Sequence, residues 1–373
     1  MLYQKLLHKL TQINWNILIV PILIATIGFF VLYSAAQGSL SPWTDRQMLR
    51  FAAGLIILIF FALIDLRFWL SQSYVLYLIS FGMLITVEII GYIGKGGQRW
   101  IDLYIFHFQP SELMKVALLM ALARYFHNSP LEHTGQTKML ILPFLFISLP
   151  ALLVMKQPDL GTATLLILAG FSIIFAAGIR VWKLILVGSM VLIATPFLWQ
   201  HLHQYQQERI LTFLNPERDP LGTGYHILQS NIALGSGGFW GKGFQAGSQA
   251  HLDFLPEKQT DFIFAMFCEE FGVFGGTILI SLYIILIAYA FYVSLKSRSA
   301  YGRYLGIGLA TLLFLYVFIN IAMVMGLVPV VGVPLPLVSY GGTSMLTFMM
   351  ALGLLMSISI HRDIRVGRIE GLI

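Results

Sequence analysis

Apolar runs recur along this chain, separated by short polar or Gly/Pro-rich clusters. A helix that crosses a bilayer needs roughly 20 mostly apolar residues. By that criterion ten spans are expected, at 16–35, 47–64, 74–92, 110–126, 138–155, 161–178, 184–199, 260–294, 302–326 and 343–360. The predicted fold is all-α: one polytopic membrane domain over 1–373, with about ten transmembrane helices. Its large extramembrane loop, 200–259, falls between the seventh and eighth. The first run, Trp15 to Ser34, exceeds the roughly 7–15 apolar residues of a signal-peptide core. It reads as an uncleaved span, although Ala35-Ala36 mimics a cleavage site.

Composition supports this picture. Of 373 residues, 58% are hydrophobic and only 11% charged, against about 25% charged in soluble domains. The net charge of +6 therefore speaks to topology and lipid contact, not to nucleic acid. One set of loops and tails carries Lys5, Lys9, Arg67, Arg124, Lys138, Arg180, Lys183, Lys296, Arg298, Arg303, Arg362, Arg365 and Arg368. The opposite set, leaving out 200–259, carries Arg46, Arg50, Lys95, Arg99, Lys115 and Lys156. The richer side is cytoplasmic by the positive-inside rule. Both termini are then expected inside and the long loop outside. A single cysteine, Cys268, excludes an internal disulfide and reads as a small apolar helix residue.

Two outer segments stand out. In 200–259, Tyr225 to Leu234 has amphipathic helical spacing and is expected to lie on the membrane. No independent core can be built from that loop, so it reads as a cap that handles substrate. The segment Gly326 to Gly342 is apolar yet full of helix breakers. Such backbone at membrane depth must be buried in protein or line a cavity, so a tightly packed or re-entrant loop is predicted.

The polar groups that could carry chemistry cluster on the outer side. Asp261 stands where the longest polar segment meets a very apolar helix, and ionisable groups at such places are functional by default. From Phe262 to Leu295 is 34 residues, about 51 Å of helix against a hydrocarbon core of about 30 Å. A continuous helix would lift Asp261 above the hydrocarbon and bring Glu270 near the interface. Helical phase would place Glu270 about 180° and Glu269 about 80° from Asp261, so neither forms a dyad with it. Glu112 and Lys115 share a helix face behind Pro110; a structural ion pair and a site role weigh equally. Lys156 and Asp159 add a cation and an acid at the same level. Trp100 and Trp240 have the shape to stack on a sugar, although interfacial belts are the commoner use of Trp. The run Gly235–Gly243 departs from a phosphate loop at Ser236 and Gly243. A flexible turn suits it better than an anion nest beside Lys242. His201, His203, His226 and His251 lack close metal-ligand spacing.

Taken together, the motifs resemble the SEDS family (shape, elongation, division and sporulation) of bacterial peptidoglycan glycosyltransferases, over nearly the whole chain. The residues that carry the resemblance are Gly97-Gln-Arg-Trp100, Gln109-Pro-Ser-Glu-Leu-Met-Lys115, Gln157-Pro-Asp-Leu-Gly161, Asn215-Pro216 and Gly224-Tyr-His-Ile. They continue with Gly235-Ser-Gly-Gly…Gly-Lys-Gly243, Asp253-Phe-Leu-Pro-Glu257, Thr260-Asp-Phe-Ile-Phe264 and Pro334-Leu-Pro-Leu-Val-Ser-Tyr-Gly-Gly-Thr343. Asp253-Phe-Leu-Pro-Glu257 points to the rod-shape branch rather than the division branch. Gln259 departs from the His that usually precedes Thr-Asp-Phe, which leaves that histidine's task open here.

The resemblance implies an inner-membrane enzyme of cell elongation and shape. It would polymerise lipid II, an undecaprenyl-pyrophosphate-linked disaccharide-peptide, on the periplasmic face beside a class B penicillin-binding protein and the elongation machinery. By carry-over Asp261 is the catalytic acid, with Glu112, Lys115 and Asp159 in the same cavity. A carboxylate general base suits a weakly nucleophilic sugar hydroxyl. Arg99, Lys115, Lys156 and Arg209 are on the side where a leaving pyrophosphate needs cations. A divalent cation, Mg²⁺ or Mn²⁺, on Asp261 fits phosphate chemistry. Two rivals remain, a lipid II flippase and a non-catalytic scaffold. A flippase needs polar residues near mid-membrane, and Glu88 is the main stray of that kind.

Overall fold

The computed structural model describes residues 15–94, 97–102, 107–129, 137–201, 204–215, 218–219, 222–255, 257–364 and 367. Lys5, Lys9, Lys95, His203, Pro216, Arg365 and Arg368, named above, lie outside the described residues. The molecule is a mostly helical polytopic membrane protein. Its principal helices are α1 (Trp15–Ala35), α2 (Thr44–Leu63), α3 (Leu66–Ile90), α4 (Pro110–Asn128), α5 (Ile141–Lys156), α6 (Leu160–Ala176) and α7 (Val181–His201). Three short helices follow, α8 (Gln204–Leu214), α9 (Thr223–Ser236) and α10 (Ser248–His251), then α11 (Ile263–Lys296), α12 (Ala300–Val324) and α13 (Gly342–Ile360). Seven of the described helices are long and apolar enough to cross a membrane by length and composition alone.

The helix missing from those seven that matters most is α4. It carries Glu112, Lys115 and Arg124 and is buried on every side, packed against α3, α6 and α12. Hydropathy alone undervalues such a helix, because its polar groups are satisfied by neighbours and not by water. Around this centre α2 lies along α13, α11 along α12 and α5 along α6.

Two elements begin or form where the pattern did not place them. The third helix starts at Leu66, not at 74, because Asp65 caps it by accepting from Arg67 N at 2.9 Å. The polar run Ser71-Gln72-Ser73 is helical. Ser73 Oγ donates to Trp69 O at 2.8 Å, and Arg124 Nη1 donates to Ser71 O at 2.7 Å. The α3–α4 connection is not plain loop but a small antiparallel ladder, β1 (Tyr92–Gly94), β2 (Gly97–Asp102) and β3 (His107–Phe108). Its register sets Tyr92 opposite Trp100 and Ile101 opposite Phe108.

The largest correction concerns α11. It is not one continuous rod: Gly272 has φ 66 and ψ −169 and breaks it. That region of backbone space is essentially closed to residues with a side chain. The glycine run Gly237–Gly243 fills the break. Lys242 N and Gly243 N donate to the carbonyls of Glu269 and Glu270, while Val273 N and Phe274 N donate to Gly238 O and Phe239 O, all at 3.0 Å. The run is neither an anion nest nor a loose turn; it replaces the hydrogen bonds the helix gives up. The length argument that lifted Asp261 on a straight helix fails accordingly. Asp261 precedes the helix, whose N-cap is Phe262, so helical phase does not govern its direction.

Glu269 and Glu270 are fully buried in protein. Glu269 Oε1 accepts from Lys242 Nζ at 2.6 Å, Gln249 N at 3.0 Å and Ser248 Oγ at 3.2 Å. Glu270 Oε1 accepts from Ser34 Oγ and lies 3.3 Å from His251 Nε2. Residues 242–251 are thus tied to α1 and α11 by two carboxylates. Helix α9 packs on α11 and α12 with Ile227, Ser230 and Ala233 buried, leaving Leu228 and Ile232 exposed. Its inner face is held by protein.

Replacing Gly272 by Ala forces a Cβ onto the backbone of Gly241 and Phe239 and strains φ by about 1–3 kcal/mol before the clash is counted. Gly272→Ala is expected to lower the melting temperature in detergent markedly, whereas Gly82→Ala, with open space at its Cβ, should not.

Candidate functional site

One end of the bundle is organised by the apolar loop between α12 and α13. Val333, Leu335, Leu337 and Val338 are all buried, so the breaker-rich segment is packed into protein, as its composition required. Irregular backbone in that position needs internal partners, and two side chains supply them. Asn320 Nδ2, fully buried on α12, donates to Val333 O at 2.7 Å and to Asp261 O at 2.9 Å. Ser339 Oγ donates to Thr260 O at 2.6 Å and accepts from Leu335 N at 2.7 Å. Tyr340 N donates to Gln259 O at 2.8 Å. Three consecutive carbonyls, those of Gln259, Thr260 and Asp261, are therefore fixed by the same loop and helix.

The carboxylate of Asp261 faces that loop as well. A Cβ placed on Gly332, which has φ +70, would sit 3.4 Å from Asp261 Oδ2. On the other side of the loop, a Cβ on Gly161 would sit 2.7 Å from Val331 O. The loop is thus sandwiched between Asp261 and the start of α6.

That start is Asp159. Its carboxylate caps α6, accepting from Thr162 N at 3.1 Å and Thr162 Oγ1 at 2.9 Å, and also takes Gln109 Nε2 at 3.3 Å. Arg99 reaches over from β2 to donate to the carbonyls of Gln157, at 3.0 Å, and Pro158, with Nη1 3.9 Å from Asp159. Arg99 and Asp159 are therefore brought together, in a corner stiffened by their own contacts. Trp100 follows on the same strand, half-buried.

Glu112 and Lys115 lie deeper. They pair at 2.7 Å with 5% and 1% of each residue exposed. Tyr316 completes the cluster: its hydroxyl donates to Glu112 at 3.2 Å and its ring lies 4.5 Å from Lys115 Nζ. Tyr316 and Asn320 are four residues apart on α12, one turn along the same face. The ion pair thus lies one turn below the residue that holds Asp261.

The remaining candidates separate. Lys156 is exposed and pairs with Glu88 at 2.7 Å. This removes Glu88 as a stray mid-membrane acid, since both lie near the ends of their helices. Arg209 is half-buried on α8, which packs against α9. Trp240 is exposed against Phe239 and Phe274. Among the described residues no group of three or more His, Cys, Asp or Glu side chains could hold a metal ion by itself.

The pattern reading passed over several residues. Asn320, Ser339 and Tyr316 are polar singletons in apolar stretches, a signal intramembrane polar groups do carry. Gln47, fully buried, donates to Ser339 O at 2.9 Å and accepts from Gly341 N at 3.4 Å. Arg50, one turn along, lies 4.5 Å over the Tyr340 ring, and its Nη1 is buried with no hydrogen-bond partner among the described residues. His226 stacks on Phe262 with ring centroids 6.0 Å apart. Burial holds its pKa below the usual 6.5, against the opposing pull of Asp219 and Glu257.

Comparisons with known proteins point to one family. A profile of the FtsW, RodA and SpoVE group, described as cell cycle proteins, matches residues 14–364. The peptidoglycan glycosyltransferase MrdB of Escherichia coli K12 is 43% identical over 354 residues, covering 92% of this chain and 94% of that protein. Stage V sporulation protein E of Bacillus subtilis is 35% identical, covering 94% and 98%. Among solved structures, a chain from a peptidoglycan synthase complex that coordinates polymerisation and crosslinking superposes with TM-score 0.82 at 31% identity. The rod-shape-determining protein RodA of Thermus thermophilus superposes with TM-score 0.71 at 27% identity. Each of these covers 94% of this chain and 98% of its own.

Two outcomes follow from the site's geometry. Lys115→Ala leaves Glu112 charged and buried, and is expected to cost about 3–5 kcal/mol of stability. Glu112→Leu with Lys115→Met should recover most of it, read by thermal unfolding; an inactive but stable double variant would show that the pair also serves the reaction. Because the folded pKa of His226 is depressed, its contribution to stability is present above about pH 6.5 and lost as pH falls towards the folded value. His226→Gln should flatten that part of the stability profile.

Proposed function

This chain belongs to the FtsW, RodA and SpoVE family of cell cycle proteins, and from that premise we propose how its outer site works. The chain is a peptidoglycan glycosyltransferase of the bacterial inner membrane, related to the rod-shape enzymes. Asp261 is its reaction centre. The observation that carries this assignment is the clamp on its backbone: Asn320, Ser339 and Tyr340 hold the three carbonyls leading into and including Asp261. Catalysis by a carboxylate depends on its being held in place before the substrate arrives.

The substrate is lipid II. Asp261 accepts the proton of the attacking sugar hydroxyl as the new glycosidic bond forms. The bond from the donor sugar to its pyrophosphate breaks, and the pyrophosphate leaves with the electron pair. General-base help of this kind contributes roughly 10²–10⁴-fold. The departing charge needs cations close by, and Arg50 is better suited than Lys156. The guanidinium of Arg50 has a buried nitrogen with capacity to spare beside Tyr340, whereas Lys156 is occupied by Glu88. Arg99 braces the Asp159 corner; Glu112 and Lys115 support the floor beneath Asn320. A divalent cation, Mg²⁺ or Mn²⁺, would be held by Asp261 together with substrate phosphate oxygens and would neutralise the leaving group.

The site faces the periplasm with both termini in the cytoplasm, in keeping with the distribution of Lys and Arg. A class B penicillin-binding protein acts beside the chain, crosslinking the strands it makes; the similarity to a chain of a synthase complex supports that partnership. The flippase reading loses its main support once Glu88 is paired at the helix ends.

Purified Asp261→Asn, mixed with lipid II and the partner, is expected to make no glycan polymer while keeping the unaltered melting temperature. Normal polymer length and rate from this variant would falsify the assignment.

A further inference from the structure

A second groove lies at the end of the bundle opposite Asp261. Helix α5 runs from the 3-10 turn Thr137–Leu140 to Lys156 at the site end. Helix α6 returns from Leu160 to Ala176, and α7 leaves from Val181. Between α5, the end of α6 and the start of α7 is a cavity of about 400 Å³, within the range typical of small-molecule sites. Its walls are apolar, with Ile141, Phe144, Leu145, Ile174 and Leu186 among them. Ile141, Leu145 and Leu186 are each more than 40% exposed, so the cavity opens sideways, where lipid surrounds the bundle.

Polar chemistry is confined to its mouth. Lys183 Nζ donates to Thr137 Oγ1 at 3.1 Å, which pins the ammonium across the opening, and it lies 5.8 Å from the Trp182 ring. Arg180, exposed, is joined to Lys183 by the turn in which Lys183 N donates to Arg180 O at 2.9 Å. Lys138, also exposed, follows Thr137 in the 3-10 turn. From Thr137 to Met190 the only acid in the sequence is Asp159, at the other end of the helices. Lys183 lines the mouth of this apolar groove, Arg180 and Lys138 stand on the turns that lead into it, and no acid is among the described residues that line it. Trp182 adds an amphipathic ring of the kind that sits at headgroup level.

We propose that this groove binds one anionic phospholipid. Its phosphodiester headgroup lies against Arg180 and Lys183, with Lys138 alongside, and its acyl chain lies along Ile141, Leu145 and Leu186. Charge complementarity at the mouth selects an anionic headgroup over a zwitterionic one, as basic pockets between membrane helices do. The groove's distance from Asp261, the full length of α5 and α6, separates it from the substrate's reaction centre. Under the orientation proposed above, the lipid belongs to the inner leaflet; the binding itself does not depend on that orientation or on the enzymatic reading.

The test uses the purified full chain in detergent micelles, titrated with phospholipids whose acyl chains carry bromine. The Trp182 signal is taken as the difference between the unaltered protein and Trp182→Phe. Brominated phosphatidylglycerol should quench it at a mole fraction roughly tenfold lower than brominated phosphatidylcholine, as expected for two cations near the headgroup. In Arg180→Gln with Lys183→Gln the two curves should coincide. Native mass spectrometry of the unaltered protein provides a readout that needs no variant: phosphatidylglycerol should be retained where phosphatidylcholine is stripped. Equal quenching and equal retention of the two lipids would overturn the proposal, as would a preference that survives the double substitution. Displacement of phosphatidylglycerol by a polyprenyl phosphate at lower concentration would overturn it too, assigning the groove to a prenyl chain.

Discussion

Non-helical backbone inside a membrane protein is tolerable only when its polar groups find partners within the protein. That constraint governs the end of this molecule where Asp261 lies. The loop from Gly326 to Gly341 and the strip from Gln259 to Asp261 are both irregular, and they satisfy one another through Asn320, Ser339 and the amide of Tyr340. Gln47 extends the network to α2 by bonding Ser339 O and Gly341 N. The hydrogen bonds that folding requires of this irregular backbone also fix the position of Asp261.

Buried charge follows the same rule at other places. Glu112 is matched by Lys115 and Tyr316, Glu269 by Lys242, and Glu270 by Ser34 and His251. In each case some of the partners come from a different element, so the acids hold the bundle in one arrangement more than they stabilise any single helix. Ion pairs of this kind are modest sources of net stability but severe liabilities when one partner is removed. The arrangement also concentrates these liabilities in the half of the molecule that includes Asp261.

Hydropathy made most of the architecture legible, because bilayer thickness imposes helix length and the apolar runs announce themselves. It misled where local chemistry overrides composition. Ser71-Gln72-Ser73 reads as a loop, yet its hydroxyls and carbonyls are used inside a helix. Gly272 reads as a tolerated glycine in an apolar run; what makes it a break is Gly237–Gly243, some thirty residues earlier, and no local pattern carries that information. Asp261 stands out in the sequence through its motif and its boundary position. Its clamp does not, since Asn320 and Ser339 meet it only in three dimensions. Lys156 stands at the end of α5, and its partner there, Glu88, comes from α3, a pairing no local pattern carries.

The break at Gly272 has a consequence for exchanging parts between relatives. The four hydrogen bonds that α11 forgoes are returned by residues 238–243, so loop and helix are two halves of one unit although the chain separates them. A chimera that takes the outer loop from one relative and α11 from another joins halves fitted to different partners, unless both carry the same glycines. A cut that moves Gly237 to Phe274 as one block preserves the unit. The natural boundary for recombination therefore lies inside the membrane helix, past its break, and not at the edge of the loop.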